Sequence, residues 1–491
     1  MLARRMRMGY REHLIALLAT GATGLLAFAG THKEGMEGLA LPLVLVLVVI
    51  LARRPLVMVA ITTGLAILCE GPTFGLFSFT ADLYHPIYKE LTFLDMLMGL
   101  SLVSVSLDIM RRGKRPRVPR AVRLPMLLLL LAMIAGTLTG HDNGVSTRAV
   151  VLSNNVLAYL LLLPLAIANL EIDRRQIAIL LGGATALAIV KAGLGLVEVF
   201  GHFGVSTVEG TSTTLTYYEP TANWLIMITI FGLLAMLVIR ASPPRWMLYA
   251  SPLLIASLML SYRRSFWIAA VLGILLVVLL ASTSTGRRTL IPVGLLVAAA
   301  IWSLGSTNFQ SSDSPIVRRA ASIVPSKIES NVEDRYRLDE RANVLGAIGE
   351  HPLTGLGLSV PWTAGFATLS VEHPGGRGYV HFAALWYWLK LGILGLFAYV
   401  AMLIASALLA WRVWRAPIEP WARAFGLAML CGVVGLAVIE TTATFTGVDP
   451  RFTTLFAVQL GLLLQLSQLP ALRPARDTPA PEAAAELSLV G

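Results

Sequence analysis

The sequence predicts an all-α polytopic membrane protein of about fourteen transmembrane helices, with one large extracytoplasmic loop. Three observations predict it. Apolar residues make up 56% of the 491 residues and charged residues only 14%, where soluble domains carry about a quarter charged residues. Apolar runs long enough to cross a bilayer recur from end to end. Basic residues gather in alternate short loops between those runs. A β-barrel would show short alternating strands instead.

The predicted spans run over residues 14–30, 38–52, 55–70, 91–109, 124–140, 149–170, 177–200, 221–240, 246–262, 265–282, 289–305, 379–411, 424–440 and 451–468. They divide the chain into four parts. Residues 1–305 hold the first eleven spans. Residues 306–378 form the large outer loop, too long for a simple connector. Residues 379–468 hold the last three spans. Residues 469–491, RPARDTPAPEAAAELSLVG from Arg473 onward, read as a disordered cytoplasmic tail. The N-terminal MLARRMRMGYREH with its following apolar run resembles a signal peptide, and AFAG (Ala27 to Gly30) offers a cleavage site. The many later spans favour a retained first helix.

Orientation follows from the short loops. Arg4, Arg5, Arg7 and Arg11 precede the first span, and Arg53 and Arg54 follow the second. The densest basic run, RRGKRPRVPRAVR, follows the fourth. Arg174 and Arg175, Arg240 and Arg245, Arg287 and Arg288, and Arg412 and Arg415 continue the alternation. All fall on one side, which the positive-inside rule assigns to the cytoplasm together with both termini. The net charge of +11 is therefore read as topological. Nucleic acid or acidic lipid is the alternative partner of the basic run, and no nucleic-acid partner is expected.

Other chemistries lack their motifs. The two cysteines, Cys69 and Cys431, make no disulfide framework or zinc spacing. The eight histidines form no cluster, and no dinucleotide or Walker pattern occurs. No metal and no cofactor is expected.

Against this background SYRRSFWIAA, Ser261 to Ala270, breaks the charge pattern. Arg263 and Arg264 fall on the outer face. Charge at a membrane face is a functional hypothesis by default, here an outward anion clamp. Snorkelling to lipid phosphate is the alternative. The outer loop adds IESNVEDRYRLDERANVLGAIGEHPLTGLGL, a predicted helix with Val344, Leu345 and Ile348 at helical spacing. Pro352 ends it, and Gly355 and Gly357 are turn residues. Arg337 and Arg341 share a face. Glu333, Asp334, Asp339 and Glu340 lie among the arginines, so a solvated, salt-bridged helix is the plain reading. His381 opens the twelfth span, with Leu385, Trp388, Gly392 and Gly395 along one stripe. An imidazole titrates near neutral pH and accepts a hydroxyl proton. Trp362, Tyr379, Tyr217 and Tyr218 are candidates for stacking on sugar faces, or ordinary interfacial aromatics.

RSFW (Arg264 to Trp267), RLDERANVLGAIGEHPLTGLG (Arg337 to Gly357) and HFAAL (His381 to Leu385) with Gly392 and Gly395 together resemble the O-antigen ligase and O-antigen polymerase superfamily. EPTANW, Glu219 to Trp224, is similar to the family's lead-in. The family has tryptophan where this chain has Arg341, and a polar residue where it has Phe382. Its acidic residue near the last external loop matches Asp449 or Glu440. The resemblance implies a fold like the C-type membrane glycosyltransferases, in the bacterial inner membrane with the site facing the exterior. It implies a polyprenyl-diphosphate-linked glycan donor, a glycan or lipid-linked acceptor, and inversion in one displacement without metal. Arg264 and Arg337 would bind the diphosphate, with Arg263, Arg341 and Asp449 in support, and His381 would be the general base. A polymerase is preferred slightly over a ligase acting on lipid A core or a protein. A transporter of lipid-linked sugar is the rival class. It would bury charge at the midplane, where only Lys191, Glu198 and Lys390 are candidates.

Overall fold

The computed structural model describes residues 53–69, 86–88, 91–113, 115–201, 206–207, 214–215, 220–280, 332–369 and 376–469. Its helices are α1 (Pro55–Leu68), α2 (Phe93–Arg111), α3 (Arg120–Asp142), α4 (Thr147–Ser153), α5 (Asn155–Ala168), α6 (Arg174–Gly201), α7 (Pro220–Val238), α8 (Arg245–Leu260), α9 (Arg264–Leu280), α10 (Val332–Glu350), α11 (Ala383–Arg415), α12 (Pro420–Ile439) and α13 (Pro450–Ser467). Two antiparallel two-stranded ribbons, Pro86–Tyr88 with Leu91–Thr92 and Ser206–Thr207 with Thr214–Leu215, complete the described elements.

Every predicted span within the described residues is helical. The predicted spans 14–30, 38–52 and 289–305, Glu219, Tyr217, Tyr218, the tail and the start of the outer loop lie outside them. Seven helices are long and apolar enough to cross a membrane by length and composition, counting α4 and α5 as one. Helices α1, α8 and α9 are apolar but shorter. Helix α13 is not among the seven. It carries Thr453, Thr454, Gln459 and Gln465, all buried. Their polar groups are met by protein, as a membrane interior requires. Gln465 Nε2 donates to the carbonyls of Ile167 and Leu170 at 2.6 and 2.7 Å. Trp224 Nε1 donates to Gln459 Oε1 at 2.7 Å.

Three of the basic loops meet at one end of the bundle. Arg112 pairs with Glu171 at 3.3 Å, the Arg117 N–H donates to Asn169 Oδ1 at 2.7 Å, and Arg174 pairs with Glu419. These contacts join the α2–α3, α5–α6 and α11–α12 loops. The α8–α9 corner with Arg263 and Arg264, the start of α11 and the α12–α13 turn lie at the opposite end. Lys191 and Glu198 are buried on α6. Lys390 is buried on α11 and donates to the Val360 carbonyl.

The segment Pro352–Leu358 does more than turn. It enters between α3 and α11, where α11 is broken. Gly392 takes φ 68° and ψ −169°, a conformation essentially confined to glycine. The break frees backbone groups that the segment meets. Leu356 N–H donates to Leu389 O at 2.7 Å, Ile393 N–H to Leu353 O at 3.1 Å, and Leu358 N–H to Gly136 O at 2.9 Å. Gly392 is thus a break, where a continuous helical stripe was expected. A Cβ at Gly392 would stand 2.2 Å from Leu353 O, one at Gly355 2.4 Å from Leu389 O, and one at Gly357 2.3 Å from Gly140 N. Gly392→Ala is expected to lose about 1–3 kcal/mol or more from overpacking alone, read as a lower midpoint of thermal unfolding in detergent. An unchanged midpoint would mean the backbone there is not held as described.

Candidate active site

The α8–α9 corner aims the arginines. Tyr262 sits at φ 54°, an uncommon left-handed position for a residue with a side chain. Ser261 Oγ donates to Leu258 O at 2.7 Å, and Trp267 Nε1 donates to the same carbonyl at 3.0 Å. The RSFW tryptophan therefore ties the first turn of α9 to the last turn of α8, with Arg264 at the helix start.

Helix α10 lies over this corner and the start of α11. One face carries Asp334, Tyr336, Glu340, Asn343, Val344, Ala347 and Ile348, all buried. Leu345, predicted on the apolar stripe, is 42% exposed. It lies about 100° beyond Val344 on the helix, past the edge of the buried face. Asn343 anchors the following loop. Its Oδ1 accepts the Phe366 and Ala367 N–H groups at 2.8 and 2.9 Å, and its Nδ2 donates to Ala367 O at 2.8 Å.

Asp334 joins two of the predicted arginines. Arg264 Nη2 donates to both carboxylate oxygens at 2.7 and 2.8 Å, and Arg337 Nη1 reaches Oδ1 at 3.1 Å. One carboxylate thus holds both guanidinium groups side by side. Arg263 belongs to the same neighbourhood, because its charge acts on Tyr379 together with those of Glu340 and Arg337. Burial pushes the Tyr379 hydroxyl well above the ordinary tyrosine value, against the hydrogen bond with Thr444, so it stays neutral. It accepts the Thr444 N–H at 3.0 Å.

His381 precedes α11, which begins at Ala383. It is buried at 7% exposure. Its Nδ1 lies 3.0 and 3.2 Å from the Glu340 oxygens, and its backbone N–H donates to Glu340 Oε2 at 2.9 Å. The rings of Tyr379 and Tyr336 stand edge-on to the imidazole at 5.0 and 5.9 Å. Trp362, a candidate for sugar stacking, is fully buried. It donates from Nε1 to Tyr379 O at 3.0 Å and so pins the strand of chain leading to His381.

The structure brings Arg263, Arg264, Arg337 and His381 to one cluster through α10. The supporting candidates stand elsewhere or differ. The Arg341 side chain is exposed and its guanidinium lies 5.6 Å from the Phe382 ring centroid, so the two departures from the family pattern touch each other. Asp449 caps α13, accepting the Arg451 and Phe452 N–H groups at 2.9 and 3.2 Å, and pairs with Arg451 at 3.1 Å. Glu440 is buried and bonds the Thr446 N–H at 2.7 Å and the Tyr399 hydroxyl at 2.8 Å. Its carbonyl accepts the Ala383 N–H at 2.9 Å, which fixes the start of α11 two residues after His381.

Sequence reasoning passed over Asp334 and Glu340 as ion partners on a solvated helix. The usable signal was phase. Glu340 lies four and seven residues before Val344 and Ala347, on their face. Among the described residues no group of three or more His, Cys, Asp or Glu could hold a metal ion.

These features define a helical membrane protein with a cationic, histidine-bearing site at one end of its bundle. The family model described as O-antigen ligase matches residues 249–400, which run from α8 through the first half of α11 and contain the whole arginine–histidine cluster. The resemblance to the O-antigen ligase and polymerase superfamily holds over that region. A search of curated proteins found no match.

Proposed function

We propose that the protein is a membrane glycosyltransferase of surface polysaccharide assembly, transferring a glycan from a polyprenyl diphosphate carrier to an acceptor hydroxyl at the outer face of the inner membrane. The observation that carries this reading is the arrangement of Arg264, Arg337 and His381 around α10, within the region matched by the O-antigen ligase family. A transporter site would lie near the bilayer midplane, and this cluster lies at one end of the bundle.

The residues fit an inverting displacement. The acceptor oxygen bonds to the anomeric carbon as its proton passes to His381. The bond from that carbon to the phosphate oxygen breaks, and its electron pair stays on the diphosphate. Arg264 and Arg337 neutralise the charge that grows there, with the fork geometry that suits phosphate oxygens. Arg263 adds positive charge beside them. In this reading the donor diphosphate takes over contacts that Asp334 makes now. The basic loops at the other end then face the cytoplasm.

The test is transfer in proteoliposomes with a polyprenyl-diphosphate glycan, product length read on a gel. A ladder is expected for a polymerase, the reading favoured by the length of the outer loop. A single shift of the acceptor identifies a ligase, the reading favoured by the matched family's description. No product with any such donor would remove the proposal.

A further inference from the structure

We infer that Glu340 is the positioning residue of His381, setting the tautomer and ring plane a general base needs. The inference rests on the reading of His381 given above.

Glu340 is fully buried. A buried carboxylate is costly unless its oxygens are hydrogen-bonded, and two donors of a single residue supply this. Oε2 accepts the His381 backbone N–H at 2.9 Å and lies 3.0 Å from Nδ1, with Oε1 at 3.2 Å from Nδ1. An ionised carboxylate only accepts, so Nδ1 carries the hydrogen. The lone pair of the neutral ring is then on Nε2, the nitrogen that takes the proton in the proposed reaction. Rotation is also constrained, because Tyr336 and Tyr379 meet the ring edge-on at interplanar angles of 77° and 83°.

The placement on α10 adds a second consequence. Arg337 lies one turn before Glu340 on the same helix and is joined through Asp334 to Arg264. A single rigid element therefore sets the imidazole and the cation pair relative to one another. Asn343, one turn further, locks the loop over the site. A reaction that needs leaving-group stabilisation and proton removal in one displacement requires this registry.

The experiment compares wild type, Glu340→Gln and Glu340→Asp in the transfer assay, with inserted protein quantified. Glutamine keeps the volume but offers one accepting oxygen for two donors. The expected result is a kcat lower by roughly 10-fold or more for Glu340→Gln, donor KM within about twofold, and partial recovery in Glu340→Asp. An unchanged kcat in Glu340→Gln overturns the inference. So does failure of both variants to insert, since that marks a structural role only. A double-mutant cycle on thermal unfolding, using Glu340→Gln, His381→Gln and both, tests the contact without activity. Additive effects overturn it. Coupling with an inactive wild type would instead locate the fault in the proposed reaction.

Discussion

Arg264→Ala is expected to lower glycan transfer by about 10²–10³-fold, the range seen when one preorganised donor to a developing negative charge is removed. Arg264 presents a guanidinium whose Nη2 already donates to both oxygens of a carboxylate, with its side chain only 13% exposed. A diphosphate offers oxygens that a guanidinium can hold through two nitrogens at once. Arg264→Lys keeps the charge but not the fork, so partial recovery is expected. Removing Arg264 also takes one of two guanidinium groups away from Asp334, and that complication is separable. Transfer rates would be compared for Arg264→Ala and for Arg264→Ala with Asp334→Asn. If the double variant regains wild-type rates, Arg264 serves to neutralise Asp334 and is not a diphosphate ligand. If both stay low while inserted protein is normal, the diphosphate role stands.

His381→Ala is expected to cost about 10²–10⁴-fold in kcat, the usual worth of a positioned acid–base group. Donor KM should stay near wild type, because the proposed reaction gives the acceptor proton to His381 and the donor diphosphate to the arginines. This contrast is the diagnostic one. Arg264→Ala acts on donor binding and kcat together, and His381→Ala on kcat alone. A histidine variant with weakened donor affinity and a normal rate at saturation would reassign His381 to substrate binding. Because the His381 backbone N–H would still cap Glu340, the alanine variant leaves a partly satisfied acid, and folding should survive.

Much of the architecture was legible. Each apolar run in the described region became a helix because backbone polar groups in hydrocarbon must be satisfied within the segment. The alternation of basic loops predicted which ends of the helices gather, and the ion pairs of Arg112 and Arg174 join three of those loops. Helix α10 was visible from its apolar spacing and Pro352. RSFW, the helix with Arg337, and His381 were recognisable as chemistry because charge and imidazole stand out beside apolar runs.

Other features were not legible, for physical reasons. A carboxylate among arginines looks solvated in a string of letters, yet Glu340 is buried because its helix lies with that face against His381. The glycines of PLTGLG read as turn residues, while their need comes from backbone atoms of α11 and α3, Leu389 O and Gly140 N, standing 2.4 and 2.3 Å from where a Cβ would be. Gly392 looked like one position of a helical stripe and is a break that the same segment fills. Asp449 matched by order along the chain and became a helix cap, because its nearest donors are its own helix N–H groups.

The amino-acid sequence by itself determined the class of the protein, its helices, the clustering of its basic loops and the residue types able to hold a diphosphate and take a proton. Local periodicity and hydropathy suffice for these, since each depends on neighbours within a few turns. Only the tertiary structure decided that one helix between α9 and α11 joins Arg264 to Arg337 through Asp334 and hands His381 a buried carboxylate. Those contacts link residues 70 and 41 positions apart, and no local pattern encodes such a meeting.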